Sequence, residues 1–282
     1  MLDAAECDVL DWGPTGRVIL RIDRIAHLRN GGHGMLRTLG IVEACFESLA
    51  ARVKASRKLG GKSVIEWVVR RATDCQQLDG VIVLTNDVPE NRFLAMLVPT
   101  DVPVFAARKP DPLACFAAAL EAYPAAAAVR LGIGSPFLDP ALVDRLIIAA
   151  HSDPEVDYAT YCCRDGRPVV LSSLGVYAEW VRAEVIHRAA RRATSHEERN
   201  DVTRYIYSRP GRFRLRLIPA PPQLDRDDVR LTVDIEEDWD HALAIFEALG
   251  PDLDLQRIVD LLLHQPALRR RMADLNREYA GR

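Results

Sequence analysis

Residues 41–71, IVEACFESLAARVKASRKLGGKSVIEWVVRR, decide how the fold is read. They open on a short apolar run that predicts a buried strand. A loop of small and basic residues follows and closes on Gly60-Gly61-Lys62. Beyond it Val64, Ile65, Trp67, Val68 and Ala72 recur at helical spacing. Strand, basic glycine-containing loop and amphipathic helix are the parts with which an α/β sheet meets a phosphate-bearing ligand. The same parts also make a βα turn whose glycines only relieve close packing, so the stretch alone leaves its ligand open.

Outward from it, residues 80–85, GVIVLT, predict a parallel-sheet strand, 102–106 a shorter one and 126–131 another buried one. Helices are expected over 63–73, 90–97, 112–123 and 140–150, with Asp111 as a cap and Pro112 and Pro140 as openers. Residues 40–150 thus alternate four strands with helices, the pattern of a layered, Rossmann-like α/β sheet, mostly parallel. The alternation then breaks into an irregular inserted region. Residues 158–163 and 168–171 read as a strand pair around Arg164-Asp165-Gly166-Arg167, and 179–192 and 200–207 as helices. In 213–219, Phe213, Leu215 and Leu217 alternate with arginines, which predicts a half-exposed strand. Residues 229–233, VRLTV, read as a last strand running into the acidic 234–238 and a helix to 249. Two C-terminal helices, over 255–263 and from Pro266 to 279, are expected to pack back on the domain. The division expected is an N-terminal extension over 1–39, a domain over 40–250 and a helical tail over 251–282. Within the extension, 18–25 could add an edge strand, and Met35 opens a run that reads like a protein start.

With 282 residues, 49% apolar and 27% charged, the chain is an ordinary soluble protein able to bury a large core. A net charge of -3 argues against nucleic acid as a partner. No run approaches the ~18 apolar residues of a membrane span. Six cysteines without C-x-x-C spacing, and no signal peptide, predict reduced thiols in a cytoplasmic protein. The histidines form neither H-E-x-x-H nor a cysteine–histidine cluster, so structural zinc is not expected. Residues 188–216 hold nine arginines against three acidic residues. Lacking the interleaved aromatics of a single-strand binder, they read as a solvated face or a subunit contact.

In open α/β sheets ligands bind beyond the carboxyl ends of the strands, where 45–62, 85–87, 132–139 and 234–238 are expected to meet. Lys54, Arg57, Lys58 and Lys62 would neutralise a triphosphate or sugar phosphate there, or form a solvated basic turn. Neither the P-loop nor the dinucleotide glycine fingerprint is present. Asp234, at the end of a strand, is suited to holding Mg²⁺ against phosphate oxygens or to capping the last helix. Glu236, Glu237 and Asp238 read as that cap. Arg130 ends an apolar strand and would pair with a ligand base or phosphate, or with an internal carboxylate such as Asp139.

These residues resemble the nucleotidyltransferase family that includes spore coat polysaccharide biosynthesis protein F. That family is similar to the cytidylyltransferases that activate acidic sugars such as sialic acid and Kdo. The resemblance runs over residues 40–280, through LGGKSVIEWVVRRA at 59–72, GVIVLTND at 80–87, VFAARKPDPLACFAAA at 104–119, VRLGIGSPFLDPALVDRLI at 129–147, NDVTRYIYSRPGRF at 200–213, RLTVDIEEDW at 230–239 and IVDLLLHQPALRRRM at 258–272. It implies the nucleotide-diphospho-sugar transferase type of fold. It further implies transfer of a nucleotidyl, usually cytidylyl, group from a nucleoside triphosphate, CTP foremost, to a sugar acceptor, with release of pyrophosphate. Carried onto this chain, Lys54 and Asp234 are expected to be catalytic. Ser48, Lys54, Lys62, Thr85 and Arg130 are expected to bind the nucleotide. Asp234 is expected to hold Mg²⁺, supported by Asp139 or Asp87. Dimerisation through the irregular region after Asp157 is a family expectation.

The match is uneven. Cys45 stands where the family has its phosphate-binding arginine and Glu47 where it has a glycine. A thiol for a cation, with a carboxylate nearby, disfavours a triphosphate. Residues 49–53, LAARV, depart from the usual threonine, arginine, leucine, proline, glycine. Gly134 falls at the first metal-binding aspartate, Asn200-Asp201 replaces a glutamate–histidine pair, and Tyr177 lies near a usually acidic substrate-site position, while Glu179 is retained. Three readings stay open: an active nucleotidyltransferase of surface-polysaccharide or glycoconjugate biosynthesis, an inactive member serving as a binding or regulatory partner, and an enzyme of another reaction on the same scaffold.

Overall fold

Neighbouring residues of the central strands are buried on opposite faces of one sheet. Ile41 and Ile82 join one apolar cluster, and Val42 and Val83 join the other. A strand buried on both faces needs helices above and below it, and that is the architecture of the computed structural model, which describes residues 35–46 and 48–279. The expected strand at 18–25 lies outside the described residues.

Seven strands run in the order β5-β4-β1-β6-β8-β7-β9. Four adjacent ones, β5 (Val104–Ala107), β4 (Gly80–Asn86), β1 (Leu36–Glu43) and β6 (Ala125–Gly132), are mutually parallel. β8 (Glu179–Arg182) is antiparallel to both β6 and β7 (Tyr158–Cys162), and β9 (Leu215–Pro219) closes the edge parallel to β7. The sheet is therefore mostly parallel and flanked by helices, as the resemblance implies. It takes in Leu36 to Leu39, which the expected division placed in the extension. The side chain of Asp79 accepts from the main-chain nitrogens of Arg37 and Thr38 at 2.7 and 2.9 Å and holds that first turn of strand to the sheet.

One face is covered by α2 (Val64–Thr73), α5 (Pro140–His151) and the C-terminal helices α9 (Glu236–Leu249), α10 (Leu255–His264) and α11 (Pro266–Glu278), through Ile65, Val68, Leu146, Ile245, Ile258 and Met272. The other is covered by α4 (Pro112–Ala122) and α6 (Ala183–Arg192), through Leu113, Phe116, Val185 and Ile186. Local signals set these helices. Ser63, Asp111 and Asp139 each accept from a main-chain nitrogen three residues on, at 3.2, 2.8 and 3.0 Å. No described helix is long and apolar enough to cross a membrane.

Several expected elements differ. Residues 49–56, read as loop, form the helix α1 (Leu49–Ser56), and residues 90–97 break into a 3₁₀ turn and the one-turn α3 (Leu94–Leu97). The helix expected over 179–192 gives up its first four residues to β8, because Glu179 to Arg182 find backbone partners on both β6 and β7. The strand pair at 158–171 shrinks to β7 and one bridge, Cys162 to Pro168. Residues 200–207 divide between α7 (His196–Asn200) and α8 (Arg204–Tyr207). VRLTV at 229–233 is not a strand. Its Leu231 nitrogen donates to Ser173 O at 2.8 Å and its Val233 nitrogen to Gly134 O at 2.7 Å, so it stitches two loops together.

Candidate active site

β1, β4 and β6 end at one level, since Glu43 is in register with Leu84 and with Gly132. The loops that follow them therefore leave together at the carboxyl edge of the sheet. Thr85 anchors this edge from below. It is fully buried, donates to Ala44 O at 2.9 Å and accepts from Asn91 Nδ2 at 3.1 Å, which places it beneath the loop.

Ser48 caps α1 by accepting from the Ala51 nitrogen at 3.2 Å. α1 carries Lys54 across the edge, where its Nζ donates to the main-chain oxygen of Asp234. One turn further, Arg57 donates twice to Glu236, at 2.6 and 2.7 Å, and its guanidinium lies 5.3 Å from the centre of the Trp239 ring. The first loop is thus clasped to the start of α9. A two-residue ladder, β2 (Lys58–Leu59) with β3 (Lys62–Ser63), turns at Gly60 and Gly61, whose φ angles are 56° and 87°. Lys62 lies on the outer side of this turn, with Nζ 4.9 Å from the centre of the Trp67 ring.

Asp238 provides the cap that the acidic run predicts. Its Oδ2 accepts from the nitrogens of Asp234 and Ile235 at 2.9 and 3.1 Å, and it pairs with buried Arg230 at 2.5 Å. Asp234 is thereby left out of the cap. Its carboxylate reaches solvent at the rim of a cavity of about 270 Å³, whose wall also includes Arg130, Gly134, Ser135, Tyr177 and Glu179. The crowding protein around it, with the neighbouring charge of Asp238, raises its pKa above the usual aspartate range, against the opposing pull of Thr232, Arg230 and Lys54. Gly134 sits directly over it. A β-carbon there would lie 3.0 Å from Asp234 Oδ1.

Arg130 has internal partners. Its Nε donates to Glu43 Oε2 at 2.6 Å, and Nη1 donates to Glu179 Oε2 at 2.8 Å and Asp201 Oδ1 at 3.3 Å. Burial works against the guanidinium's charge, but the three carboxylates outweigh it and hold its pKa above the ordinary arginine value. Tyr158 and Thr203 donate to Glu179 at 2.5 and 2.6 Å, and Tyr207 to Asp201 at 2.7 Å, so two of the three carboxylates are braced by hydroxyls. Cys45, where the resemblance implies a phosphate-binding arginine, has a pKa pushed up by its hydrogen bond with Cys115, by burial and by Glu43, which favours the neutral thiol.

The structure therefore gathers Lys54, Gly134 and Asp234 at one junction, with Arg130 across the cavity. The carboxylate of Asp139 caps α5 at the Leu142 nitrogen, and that of Asp87 pairs with Arg108. Glu47 lies outside the described residues. Sequence reasoning passed over Glu43 and Asp201 as partners of Arg130. For Glu43 a signal was available, since a carboxylate ends apolar β1 and Arg130 lies near the end of β6, the strand paired with it; for Asp201, 71 positions from Arg130, there was none.

The family model of the MobA-like NTP transferase domain matches residues 50–209. The spore coat polysaccharide biosynthesis protein SpsF of Bacillus subtilis (strain 168) is 28% identical over 236 residues, covering 81% of this chain and 95% of that protein. A cytidylyltransferase of Leptospira borgpetersenii superposes with a TM-score of 0.71 at 17% identity, over 84% of this chain and 97% of that one. The CMP:2-keto-3-deoxy-manno-octonic acid synthetase complexed with CTP superposes with a TM-score of 0.57 at 13% identity, over 75% of this chain and 99% of that one. At such identities the two structures show a shared fold. The match over residues 50–209 covers more than half of the chain, which belongs to the family of proteins with a MobA-like NTP transferase domain.

Proposed function

We propose that the protein transfers a nucleotidyl group, cytidylyl first among the choices, from a nucleoside triphosphate to a sugar, in the making of a surface polysaccharide or glycoconjugate. The observation that carries this reading is the junction of Lys54, Gly134 and Asp234 at the carboxyl edge of a nucleotidyltransferase sheet. The names of SpsF and of the two cytidylyltransferase structures support the choice of CTP and of a glycoconjugate product.

The junction divides the edge in two. On this reading Ser48 and Lys54, at the cap and in the middle of α1, would meet the triphosphate, and the cavity lined by residues of β6, β8 and β7 would take the acceptor. A sugar hydroxyl rising from the cavity then attacks the α-phosphorus in line. The bond from that phosphorus to the bridging oxygen breaks, pyrophosphate leaves with the electron pair, and the hydroxyl proton passes to water through the open mouth. Lys54 contributes a positive charge held in place by its bond to Asp234 O, worth most where water is excluded. Asp234 and Gly134 shape the point of transfer, and alignment supplies much of the rate.

The residues fit Mg²⁺ that would be held by Asp234 and by the nucleotide's own phosphates, since that ion needs only one or two carboxylates beside substrate oxygens. Among the described residues no group of three potential ligands forms a cage. Bound there, the ion would supply charge neutralisation at the phosphates.

The test is titration calorimetry with CTP, UTP and GTP, with and without Mg²⁺, followed by pyrophosphate release in the presence of a sugar panel. Binding of one nucleotide, weakened in Asp234→Asn, supports the reading. Binding of none overturns it.

A further inference from the structure

We propose that Cys45 and Cys115 are a redox-active dithiol that closes to a disulfide and tethers the loop after β1 to α4. Cys45 is the second residue past β1, and Cys115 ends the first turn of α4. Because α4 follows β5, which is parallel to β4 and so to β1, it starts at the same carboxyl edge from which that loop leaves. Cys45 packs against the apolar cluster that contains Cys115, and a hydrogen bond joins the two thiols. Sulfurs in such contact are a small movement away from an S–S bond of about 2 Å.

The two cysteines divide the chemistry. Cys45 is half-buried and Cys115 buried, so an oxidant meets Cys45 first. Their hydrogen bond holds the proton on Cys45 and eases its loss from Cys115, against burial, Asp111 and Glu43. With a hydroperoxide as oxidant, the Cys45 sulfur attacks a peroxide oxygen while its proton passes along the hydrogen bond to the Cys115 thiolate. The O–O bond breaks, and the leaving hydroxide takes up the proton that Cys115 had released to solvent. The Cys115 sulfur then attacks the sulfenic sulfur of Cys45. The S–O bond breaks, and the second hydroxide leaves with the Cys115 proton. Two electrons have passed from the sulfurs to the peroxide, and two waters have formed.

No other described cysteine has a thiol for a partner. Burial, Asp144 and Asp74 hold Cys75 protonated, and burial and Asp225 do the same for Cys162 and Cys163. In a reducing compartment such a pair rests as the dithiol and closes only transiently. The bond would land three residues ahead of Ser48, the cap of α1. Oxidation then restrains the loop that leads to the proposed triphosphate site; this consequence, unlike the dithiol itself, rests on the nucleotidyl-transfer reading above.

Peptide mapping by mass spectrometry tests the pair in the full chain, after hydrogen peroxide and alkylation of the remaining thiols. Two of the six thiols are expected to be lost, in one cross-linked peptide that holds Cys45 and Cys115, and to return with dithiothreitol. Cys115→Ser is expected to stop at a sulfenic acid on Cys45, which dimedone traps. Absence of the Cys45–Cys115 disulfide, a disulfide between other cysteines in its place, or no dimedone adduct on Cys45 in the folded variant overturns the proposal. If the variant does not fold, the wild-type map decides alone. Titration of the oxidised and reduced chains with CTP separates the two claims. Binding at least threefold weaker in the oxidised chain supports the effect on the loop, and equal binding overturns that effect alone. Absence of CTP binding in both chains overturns the transfer reading, while the dithiol stands or falls on the peptide map.

Discussion

A β-carbon built on Gly134 would stand 3.0 Å from Oδ1 of Asp234. The resemblance puts a metal-binding aspartate at Gly134's position, so on the proposed reading this chain keeps the approach of two site residues but only one carboxylate. Restoring the second should create a stronger cation site, because two carboxylates in one cavity repel each other until a metal joins them. Gly134→Asp is expected to bind Mn²⁺ at least tenfold more tightly than the wild type, by titration calorimetry. It is also expected to gain a metal-dependent rise in melting temperature. Gly134→Ala, which adds bulk without charge, should show neither. The same Mn²⁺ affinity in all three proteins would sink the idea.

Lys54 reaches Asp234 O from a half-buried position on α1. Its removal leaves one main-chain oxygen that solvent can satisfy, so the loss of stability should be small, on the order of 1 kcal/mol. Its loss as a phosphate-facing charge should matter more. Lys54→Met is expected to lower nucleotide affinity at least tenfold while shifting the denaturation midpoint little. A large fall in stability with unchanged CTP affinity would assign Lys54 to the clasp alone.

Arg130 carries the opposite expectation. Its side chain is 17% exposed and Glu179's is 5% exposed, so removing the guanidinium leaves an uncompensated buried carboxylate. Breaking such a pair costs about 3–5 kcal/mol. Arg130→Met is expected to lose stability on that scale in urea unfolding. Arg130→Lys should recover only part, since a single ammonium cannot reproduce the fork that serves Glu43 and Glu179 from different nitrogens. Full recovery with lysine would show that charge alone, and not the fork, holds the cluster.

The parallel half of the sheet was legible because its signals are local. Apolar runs mark β1, β4 and β6, and Asp111-Pro112 and Asp139-Pro140 announce their helices. The antiparallel half was less so. Residues 179–192 carry a helical pattern throughout, and only pairing with distant strands turns Glu179 to Arg182 into β8. VRLTV alternates like a strand but meets two loops, a fact that no local pattern encodes. The site suffers the same limit. Lys54 and Asp234 lie 180 positions apart, and Arg130 and Asp201 71 apart, so their meeting depends on how the whole sheet is threaded. Cap, turn and core residues could be read one segment at a time; partners across the site could not.

The turn at Gly60-Gly61 allows a sharp comparison. Both glycines have positive φ, 56° and 87°, so any side chain there pays a similar backbone cost. Their surroundings differ. A β-carbon on Gly60 would come within 2.2 Å of the Phe246 ring, whereas one on Gly61 meets nothing within 4 Å. Phe246 in turn packs edge-on against Trp67, 5.6 Å between centres, and Trp67 donates to Leu59 O at 2.9 Å. Gly60→Ala is therefore expected to destabilise by roughly 2–3 kcal/mol, and Gly61→Ala by about 1 kcal/mol. Equal losses in urea unfolding would mean that Phe246 moves aside without cost.

His241, on α9, is 4% exposed, and its Nδ1 has no hydrogen-bond partner among the described residues. Burial lowers its pKa below 6.5, with Arg271 and Arg230 adding to the effect and Asp238 and Asp240 opposing it. In the unfolded chain the ring titrates near ~6.5. Between the two pKa values the unfolded chain binds more protons than the folded one, so stability rises with pH across that window. Equivalently, the contribution is lost as pH falls from the unfolded value toward the folded one. His241→Gln removes the titration while keeping a polar side chain. The difference in unfolding free energy between wild type and variant is expected to shift against the wild type on going from about pH 7.5 to about pH 5.5, with a slope of at most one proton. His151, whose pKa is lowered by burial and by Arg37, is present in both proteins and cancels in the comparison. A difference that stays constant across this range would mean that His241 takes up its proton equally well in both states, and that its burial imposes no electrostatic cost.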